Sequence, residues 1–477
     1  MRILHVAAEL FPYVKVGGLA DVLGALPAAQ RGLGADARVL LPGFPALLRG
    51  IPDLQPAGAL ADLMGLGPAR FLCGRTPDGV PIYLLDCPAL YDRPGGPYDD
   101  WGDSYRKFGA LAWAGAQLAL DGDVAGWRPE VVQAHDWQAA LAPAYLAQAG
   151  RPRPRTLVTI HNMAYQGVYP AALLAELKLA PSCFHPGGVE FYGQINFLKA
   201  GLAYADRITT VSPTYAKEIQ LPAGGCALDG LLAQRAHQLS GILNGVDYQV
   251  WDPATSRHLE THYDARRLNL KKVAKNLLQR EVGLREAAEV PLFAVVSRLA
   301  EQKGLDLVLD NIAYLTQLDA QLLVLGTGDP VLEAGFQAAA AARPDRVATV
   351  LGFDEGMAHR ILAGADVILV PSRQEPCGLT QLYALRYGAL PLVRRTGGLA
   401  DTVVDADAQS MMDGTATGFV FQEPSSWILG ETIGRACALY RSDPKAWSRI
   451  QRHAMAQDFG WAAAARDYLS LYTSMLG

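Results

Sequence analysis

Predominantly apolar runs that end in short polar loops recur along the whole chain. Residues 3–8 and 155–160 are examples in the first half, and residues 292–296 and 365–370 are examples in the second. Runs of this length without alternation are typical of parallel strands buried on both faces. Segments with helical spacing of apolar residues separate them. The order strand, helix, strand, repeated in both halves, predicts an α/β protein with two Rossmann-like, doubly wound domains that face a cleft.

The pattern restarts at Pro291, and residues 248–253 have the character of a hinge. We therefore predict an N-terminal domain over residues 1–241 and a C-terminal domain over residues 242–457. A terminal helix is predicted over residues 458–477, where large apolar side chains recur at helical intervals. The charged segment 254–290 shows no motif, and we interpret it as a solvated helix face.

Length and charge restrict the class of protein. A chain of 477 residues is too long for one core. The net charge of -5 argues against nucleic acid or an anionic membrane as the main partner. The six cysteines are scattered without a CxxC pair, which is typical of a reduced protein. The N-terminus reads as a first strand, and no apolar run reaches the ~18 residues of a membrane helix. We expect a cytoplasmic protein without membrane contact.

The first polar loop of the chain contains Lys15, Gly17 and Gly18, just before a helix that we expect to end its useful length at Pro27. A lysine beside two glycines at a helix N-terminus is typical of a phosphate-binding site. The loop is neither a Walker motif, because no GK[ST] follows, nor a dinucleotide fingerprint, because G-x-G-x-x-G is absent. The alternative is a solvated lysine beside a tight turn.

Two further strand ends in the first half have polar residues. Asp136 follows one strand within the sequence HDW, and His161 and Asn162 follow another within TIHN. Adjacent parallel strands present such residues at one edge of a sheet. His161 alone would be typical of a histidine that ends a strand. Its polar neighbours, all able to bind sugar hydroxyl groups, favour function. Residues 91–106 mix aromatic and acidic side chains, which suits either carbohydrate contact or an ordinary surface loop.

The second half has its polar strand ends at Arg298, Lys303 and Glu375. Glu375 is the one carboxylate of a loop between a buried strand and a helix, and Gly397 and Gly398 follow the next strand. Such a loop brings an acid, free backbone amides and a helix N-terminus to one point. That arrangement suits a sugar that carries a diphosphate. An ordinary strand–loop–helix, with glycines used only for turns, is the alternative.

The stretch EPCGLTQLYALRYGALPLVRRTGGLADTV resembles the C-terminal signature of glycogen and starch synthases. The same family has HDW and TIHN at the corresponding places, and its K-T-G-G-L motif corresponds to Lys15 and the two glycines. Val16 replaces the threonine of that motif. Gln138 replaces the histidine that usually follows HDW, and we expect this change to alter an outer contact with the acceptor. The resemblance covers nearly the whole chain. It implies a retaining glucosyltransferase of the GT-B type, with a terminal helix that returns to the N-terminal domain.

The resemblance also implies substrates and site residues. The substrates are ADP-glucose and the nonreducing end of an α-1,4-glucan. Glu375 would steady the sugar, His161 would stabilise positive charge near the anomeric carbon, and Asp136 is the other acid at a strand end. Phe353 would stack on the adenine, unless it is a core phenylalanine. The donor-binding residues implied are Lys15, Gly17, Gly18, Asn162, Asn244, Arg298, Lys303, Phe353, Cys377, Gly378, Leu379 and Thr380.

We expect no cofactor and no metal. The triplets 121–123 and 405–407 are D-x-D sequences, but neither follows a strand that carries site candidates, so we interpret them as surface acids. Basic residues and helix N-termini would neutralise the diphosphate instead. Two other functions stay open: another two-Rossmann enzyme, such as a sugar-nucleotide epimerase or a phosphorylase, and a non-catalytic glucan-binding protein.

Overall fold

The chain divides into two compact units in a computed structural model that describes all 477 residues. Unit 1 comprises Met1–Gly245 and Trp461–Gly477, and unit 2 comprises Val246–Gly460. The predicted domains ended slightly earlier, at residues 241 and 457. Residues beyond these limits stay with their units through local contacts: the amide of Ile242 donates to the carbonyl of Thr210 (2.9 Å), and Gly245 packs directly against Trp461.

Unit 1 is built on a nine-stranded sheet in the order β12-β11-β7-β6-β1-β2-β5-β4-β3. The β3–β4 and β4–β5 pairs are antiparallel, and all other pairs are parallel. A separate antiparallel sheet has the order β8-β10-β9. The strands are β1 Arg2–Val6, β2 Asp36–Pro42, β3 Gln55–Leu60, β4 Ala69–Arg75, β5 Pro81–Asp86, β6 Val131–His135, β7 Arg155–Ile160, β8 Val168–Pro170, β9 Glu190–Phe191, β10 Gln194–Asn196, β11 Arg207–Thr210 and β12 Leu239–Gly241.

Helices cover this sheet, and the last one comes from the chain terminus. The helix α1 continues through Pro27 to Gly32, so the expected stop at Pro27 is wrong. Tyr472 of α21 accepts a hydrogen bond from Gln30 of α1 (3.2 Å). The helices of unit 1 are α1 Gly18–Gly32, α2 Pro45–Gly50, α3 Pro88–Tyr91, α4 Ser104–Asp121, α5 Asp136–Ala139, α6 Ala142–Gln148, α7 Phe197–Tyr204, α8 Pro213–Glu218, α9 Pro222–Gly225, α10 Asp229–Gln234 and α21 Trp461–Leu476.

Unit 2 is built on a six-stranded, fully parallel sheet in the order β15-β14-β13-β16-β17-β18. Strand order reverses between β13 and β16, which is where doubly wound sheets open a crevice for ligands. Its hydrophobic core is formed by the strands and the inner faces of the helices. The strands are β13 Leu292–Val296, β14 Gln321–Gly326, β15 Val347–Leu351, β16 Val367–Val370, β17 Leu390–Arg394 and β18 Phe419–Phe421.

The charged segment before β13 is only partly a solvated face. Lys271 and Lys275 of the helix α11 (Lys271–Glu281) are buried, because their ammonium groups find partners inside unit 2. The Lys275 ammonium donates to Asp366 (2.6 Å), and the same carboxylate oxygen accepts the amide of Leu292 (2.8 Å). This pair joins the starts of β13 and β16. Burial lowers the pKa of Lys271 to about 7.

The helices of unit 2 complete the alternation of strands and helices that the sequence predicts. None of the helices of the protein has both the length and the apolar character needed to cross a membrane. The helices of unit 2 are α11 Lys271–Glu281, α12 Leu305–Asp310, α13 Ile312–Gln317, α14 Pro330–Ala342, α15 Glu355–Gly364, α16 Thr380–Tyr387, α17 Gly397–Thr402, α18 Ala408–Asp413, α19 Ser426–Ser442 and α20 Pro444–Ala456.

Candidate active site

Three adjacent strands of unit 1, β7, β6 and β1, deliver the candidate residues of this half. The strands are parallel, so their carboxyl ends lie at one edge of the sheet. His161 follows β7, Asp136 follows β6, and the loop with Lys15 follows β1. The structure therefore brings together residues that the sequence separates widely.

Sequence reasoning missed Glu9, which organises the loop after β1. Glu9 is only 3% exposed, and its Oε2 accepts the amides of Val16 (2.8 Å) and Gly17 (3.1 Å). Its Oε1 accepts the hydroxyl of Tyr98 (2.5 Å), which ties segment 91–106 to this loop. A carboxylate that directly follows a buried strand was the available signal. The shape of the glycine loop thus depends on one buried acid.

Lys15 lies on the outside of this loop, and Gly17 and Gly18 are exposed. The Lys15 ammonium pairs with Asp21 (2.8 Å) and lies 4.9 Å from the centre of the Phe11 ring. Gly17 is the N-cap of α1, and no side chain caps that end of the helix. The first amides of a 15-residue helix therefore lie beside a cation, as the phosphate-binding interpretation requires.

Asp136 is buried and holds the loop after β7. Its Oδ1 accepts the amides of His161 (2.8 Å) and Asn162 (3.3 Å). Burial raises the pKa of Asp136 to about 7, although these two hydrogen bonds oppose the rise. Its backbone has a positive φ of 55°. Because the carboxylate is committed to backbone amides, its geometry fits a residue that positions His161 better than a nucleophile.

His161 is partly buried, and its ring meets a second histidine. His161 Nε2 lies 3.0 Å from Nδ1 of His135, and the two rings stack with centres 5.3 Å apart. Burial lowers the pKa of His161 to about 3, so the imidazole is neutral at pH 7. A neutral imidazole can face a developing positive charge, whereas an imidazolium would repel it.

The remaining polar candidates of unit 1 have different surroundings. Asn162 is partly buried, and its Oδ1 accepts the amide of Ala164 (3.0 Å). Asn244 is buried, and its Oδ1 has no hydrogen-bond partner. Gln138 is also buried with its Oε1 unpaired.

In unit 2 the candidates gather at the point where strand order reverses. Oε2 of Glu375 accepts hydrogen bonds from the Lys303 ammonium (2.7 Å) and the Ser372 hydroxyl (2.7 Å). Glu375 is buried, and Lys303 is partly exposed. We call these three residues the Glu375 cluster. It lines a small cavity of about 60 Å³ together with Gly378 and Thr380. The Glu375 carboxylate is paired with the side chains of Lys303 and Ser372.

Close backbone contacts shape the loop that holds Glu375. The amide of Gly398 donates to the carbonyls of Glu375 (3.2 Å) and Pro376 (3.1 Å). A Cβ at Gly397 would overlap the carbonyl oxygen of Glu375, and one at Gly398 would overlap that of Cys377. Gly397 also has a φ of +45°. These two glycines are therefore required by the site loop, which is more than turn geometry alone.

The other donor-binding candidates of unit 2 lie around this loop. Cys377 is buried, Gly378, Leu379 and Thr380 are partly exposed at the start of α16, and Arg298 is exposed after β13. Phe353, after β15, is 80% exposed. The structure thus contradicts the interpretation of Phe353 as a core residue, and its ring is free to stack on a planar ligand.

The acids of the two D-x-D triplets have partners within the protein. Asp121 pairs with Arg151 (2.7 Å) and Asp123 with Arg38 (3.2 Å). In the second triplet, Asp405 pairs with Arg435 (2.9 Å), and Asp407 caps α18. All four acids therefore have structural partners, but the interpretation as surface acids is wrong for Asp123 and Asp405, whose side chains are only 7% and 16% exposed.

One group of possible metal ligands, His258, Glu355 and His359, lies in unit 2. Burial lowers the pKa of His359 to about 4, and the nearby charges of Arg257 and Arg360 lower it further. Arg360 is itself paired with Glu281 (2.8 Å).

Comparisons with known proteins place this geometry in a class. A model of the starch synthase catalytic domain matches residues 2–234, and a model of group 1 glycosyl transferases matches residues 281–449. The catalytic domain of starch synthase IV from Arabidopsis thaliana, solved with ADP and acarbose, superposes with a TM-score of 0.91 at 30% identity, covering 100% of this chain and 99% of that one. Sucrose-phosphate synthase from Thermosynechococcus elongatus, at 19% identity and a TM-score of 0.62 over 99% and 98% of the chains, shares the fold. The protein is a glycosyltransferase with the GT-B fold.

Curated relatives define the family within this class. The chain is 56% identical to a glycogen synthase of Yersinia enterocolitica and 54% identical to one of Yersinia pseudotuberculosis, each over 99% of both sequences. The chain belongs to the glycogen and starch synthase family of glucosyltransferases, which elongate a glucan. The family, the fold and the glucosyltransferase activity predicted from the sequence are thereby confirmed.

Proposed function

We propose that the protein transfers glucose, with retention of configuration, from ADP-glucose to the nonreducing end of an α-1,4-glucan. The Glu375 cluster is the observation that carries this proposal. It places a buried carboxylate, an ammonium group and the start of α16 at the strand-order reversal of unit 2, where a nucleotide-sugar is expected to bind. The starch synthase neighbour was solved with ADP and acarbose, which supports an adenine nucleotide and a glucan as ligands.

We assign the neutralisation of the diphosphate charge to basic side chains. The Lys303 ammonium has three N–H donors, and one of them goes to Glu375 (2.7 Å). The others can bind phosphate oxygens, together with Arg298 and the amides at the start of α16. As the bond between C1 of glucose and the phosphate oxygen breaks, negative charge grows on the leaving ADP. Fixed donors at that position stabilise the transition state more than the ground state.

Lys15 and the amide at Gly18 are proposed to contribute to the same charge, whereas the Gly17 amide is already bound to Glu9. Their loop is shaped by Glu9 before any ligand binds, so little reorganisation is needed. Loss of one charged hydrogen bond costs about 1.5–3 kcal/mol. We therefore expect Lys15→Ala to raise the KM for the donor by ~10- to 100-fold. Protein stability should barely change, because the Lys15–Asp21 pair lies at the surface.

The sugar is assigned to Glu375 and His161. Glu375 would accept hydrogen bonds from sugar hydroxyl groups, and the neutral ring of His161 would face the positive charge that develops at C1. The acceptor O4 then forms its bond to C1 on the face that ADP leaves, and its proton passes to the departing phosphate. Asp136 holds the backbone of His161 throughout, through its hydrogen bond to that amide (2.8 Å).

An open cavity in unit 1 provides a place for the glucan. Its volume is about 670 Å³, and its lining includes Tyr13, Lys15, Tyr91 and Trp101. Aromatic rings beside polar groups are typical of carbohydrate contact. Segment 91–106 contributes much of this lining, which supports the sugar-binding interpretation of that segment over an ordinary surface loop.

The donor assay tests the proposal directly. Glucose incorporation into glycogen should be much faster from ADP-glucose than from UDP-glucose at equal concentration. Faster incorporation from UDP-glucose would overturn the assignment of the base. Release of glucose 1-phosphate from glycogen and phosphate, with absorbance from a pyridoxal cofactor, would indicate a phosphorylase. Glucan binding without transfer would indicate a binding protein.

We also propose that the reaction needs no metal or cofactor. The basic residues assigned to the diphosphate perform the role that a divalent cation has in D-x-D enzymes. Activity in excess EDTA should stay within about twofold of the untreated rate. A loss of activity that magnesium or manganese restores would contradict this proposal while leaving the donor assignment intact.

A further inference from the structure

His161 is the last member of a buried row of three histidines in unit 1. His161 Nε2 lies 3.0 Å from His135 Nδ1, and His135 Nε2 lies 3.0 Å from His5 Nδ1. His5 Nε2 lies 2.8 Å from the carbonyl oxygen of the Gln30 side chain. His5, His135 and Gln30 are fully buried. The row therefore runs from the candidate site across β7, β6 and β1 to α1. Five of its six ring nitrogens have a hydrogen-bond partner within the row, and the exception is His161 Nδ1.

The direction of these hydrogen bonds follows from their last acceptor. The Gln30 carbonyl oxygen can only accept, so the proton at that contact lies on His5 Nε2. A neutral histidine has one N–H, which leaves His5 Nδ1 as an acceptor from His135 Nε2–H. By the same reasoning His135 Nδ1 accepts from His161 Nε2–H. The unprotonated nitrogen of His161 is then Nδ1, which has no hydrogen-bond partner within the protein.

Burial keeps the three rings neutral, as this reasoning requires. It lowers the pKa of His5 to about 4 and the pKa of His161 to about 3. It lowers the pKa of His135 well below its usual value, and the two neighbouring histidines lower it further. At neutral pH each ring therefore carries a single N–H, and one choice of tautomer determines the other two.

The orientation of the Gln30 amide is itself held by the C-terminal helix. Gln30 Nε2 donates to the Tyr472 hydroxyl (3.2 Å), and that hydroxyl donates to the Gln133 carbonyl oxygen. Gln133 Nε2 in turn donates to Thr159 of β7 (2.6 Å). In this arrangement Gln30 Nε2, the Tyr472 hydroxyl and Gln133 Nε2 each donate to an acceptor, and the Gln30 oxygen faces His5.

We propose that Gln30 is a positioning residue that, through His5 and His135, holds His161 as the Nε2–H tautomer with a bare Nδ1. This inference rests on the proposed role of His161 at the donor sugar. A bare ring nitrogen carries partial negative charge and accepts hydrogen bonds. It can therefore accept a sugar hydroxyl or face the positive charge that develops at C1, whereas an N–H at the same place would oppose that charge.

The tautomer can be measured without any substrate. Protein with ¹⁵N-labelled histidine contains nine histidines, and His161→Gln assigns the resonances of His161. Two-bond proton–nitrogen correlations should show a protonated Nε2 and an unprotonated Nδ1 for His5, His135 and His161. The opposite tautomer at His161, as reversal of the Gln30 and Gln133 amides would give, overturns the proposal.

A variant tests whether Gln30 sets the tautomer. Gln30→Met removes the acceptor at similar volume, and we expect His161 to become a mixture of tautomers. Loss of one hydrogen bond of ordinary strength corresponds to roughly a 2- to 10-fold effect, so kcat should fall in that range with little change in the donor KM. The matched control is Gln279→Met, which removes a fully buried amide from unit 2 and should leave both the tautomer and kcat unchanged.

The outcomes separate this proposal from the function it rests on. An unchanged His161 tautomer and kcat in folded Gln30→Met would overturn it. If that variant does not fold, Tyr472→Phe releases the amide of Gln30 instead, and an unaltered tautomer there counts against the proposal. Wild-type protein with the Nε2–H tautomer but without transfer from ADP-glucose would contradict the proposed function alone.

Discussion

The two units hold their candidate residues by different physical means. In unit 1, buried groups are joined by hydrogen bonds: Asp136 to the backbone of His161, and the neutral ring of His161 to His135. In unit 2, a charged carboxylate is paired with an ammonium group, and its loop is held by backbone contact with two glycines. Unit 1 thus fixes orientation, and unit 2 concentrates charge.

The backbone contact in unit 2 gives the largest expected effect. Gly397→Ala would force the Glu375 loop away and place alanine at a φ of +45°. We expect a loss of roughly 2–4 kcal/mol in the free energy of unfolding and near-complete loss of activity. Chemical denaturation and the glucose-incorporation assay measure the two.

Gly414→Ala is the matched control for Gly397→Ala. Gly414 also has a positive φ, of 69°, but a Cβ there meets no atom within 4 Å. It should cost only about 1–2 kcal/mol and leave kcat unchanged. Equal losses of stability and activity in the two variants would show that the contact with Glu375 is unimportant.

Removal of the Glu375 carboxylate gives the second-largest expected effect. Glu375→Ala should lower kcat by on the order of 10² or more, with a smaller change in the donor KM, because the interaction strengthens in the transition state. Asp354→Ala is the control, since Asp354 accepts the amide of Met357 (2.8 Å) as a true helix cap. A Glu375 variant that loses melting temperature like the control but keeps its kcat would assign Glu375 a structural role.

A substitution of Asp136 tests how burial changes the protonation of the candidate residues in unit 1. Burial raises its pKa from 3.8 to about 7, so between these pH values the folded protein binds more protons than the unfolded chain. The contribution of Asp136 to the free energy of unfolding is therefore present below pH 4 and is lost as the pH rises towards 7. Asp136→Asn lacks this titration. The difference in stability between variant and wild type should shift in favour of the variant over that range.

Denaturation of both proteins at several pH values measures this difference. A stability difference independent of pH would contradict the raised pKa.

Substitution of Phe353 gives the smallest expected change in the free energy of unfolding. Its main effect should be on ADP affinity. Its side chain is 80% exposed, so Phe353→Ala should change the free energy of unfolding by less than about 0.5 kcal/mol. Stacking on a base is worth ~1–3 kcal/mol, and ADP affinity measured by calorimetry should fall accordingly. Trp427→Ala, at a residue that is 73% exposed, is the control and should leave ADP affinity unchanged. Unaltered ADP affinity in Phe353→Ala would exclude stacking.

The sequence by itself determined the fold class, the family and the polar strand ends. These features are local: an apolar run predicts a buried strand, and the polar residue that follows it lies at the sheet edge whatever surrounds it. Glu375, His161 and Lys15 could be located in this way. The continuous match around Glu375 then identified the family before any contact was known.

Only the tertiary structure decided what these residues touch. The sequence predicts that Lys271 and Lys275 are solvated, but both are buried. Asp366 and backbone carbonyls from other segments accept hydrogen bonds from their ammonium groups. Phe353 could equally have been a core residue until its surroundings were known. Burial and pairing arise from segments far apart in the chain, so a local pattern cannot report them. The row from His161 to Gln30 joins three strands and a helix, and its existence depends on their packing alone.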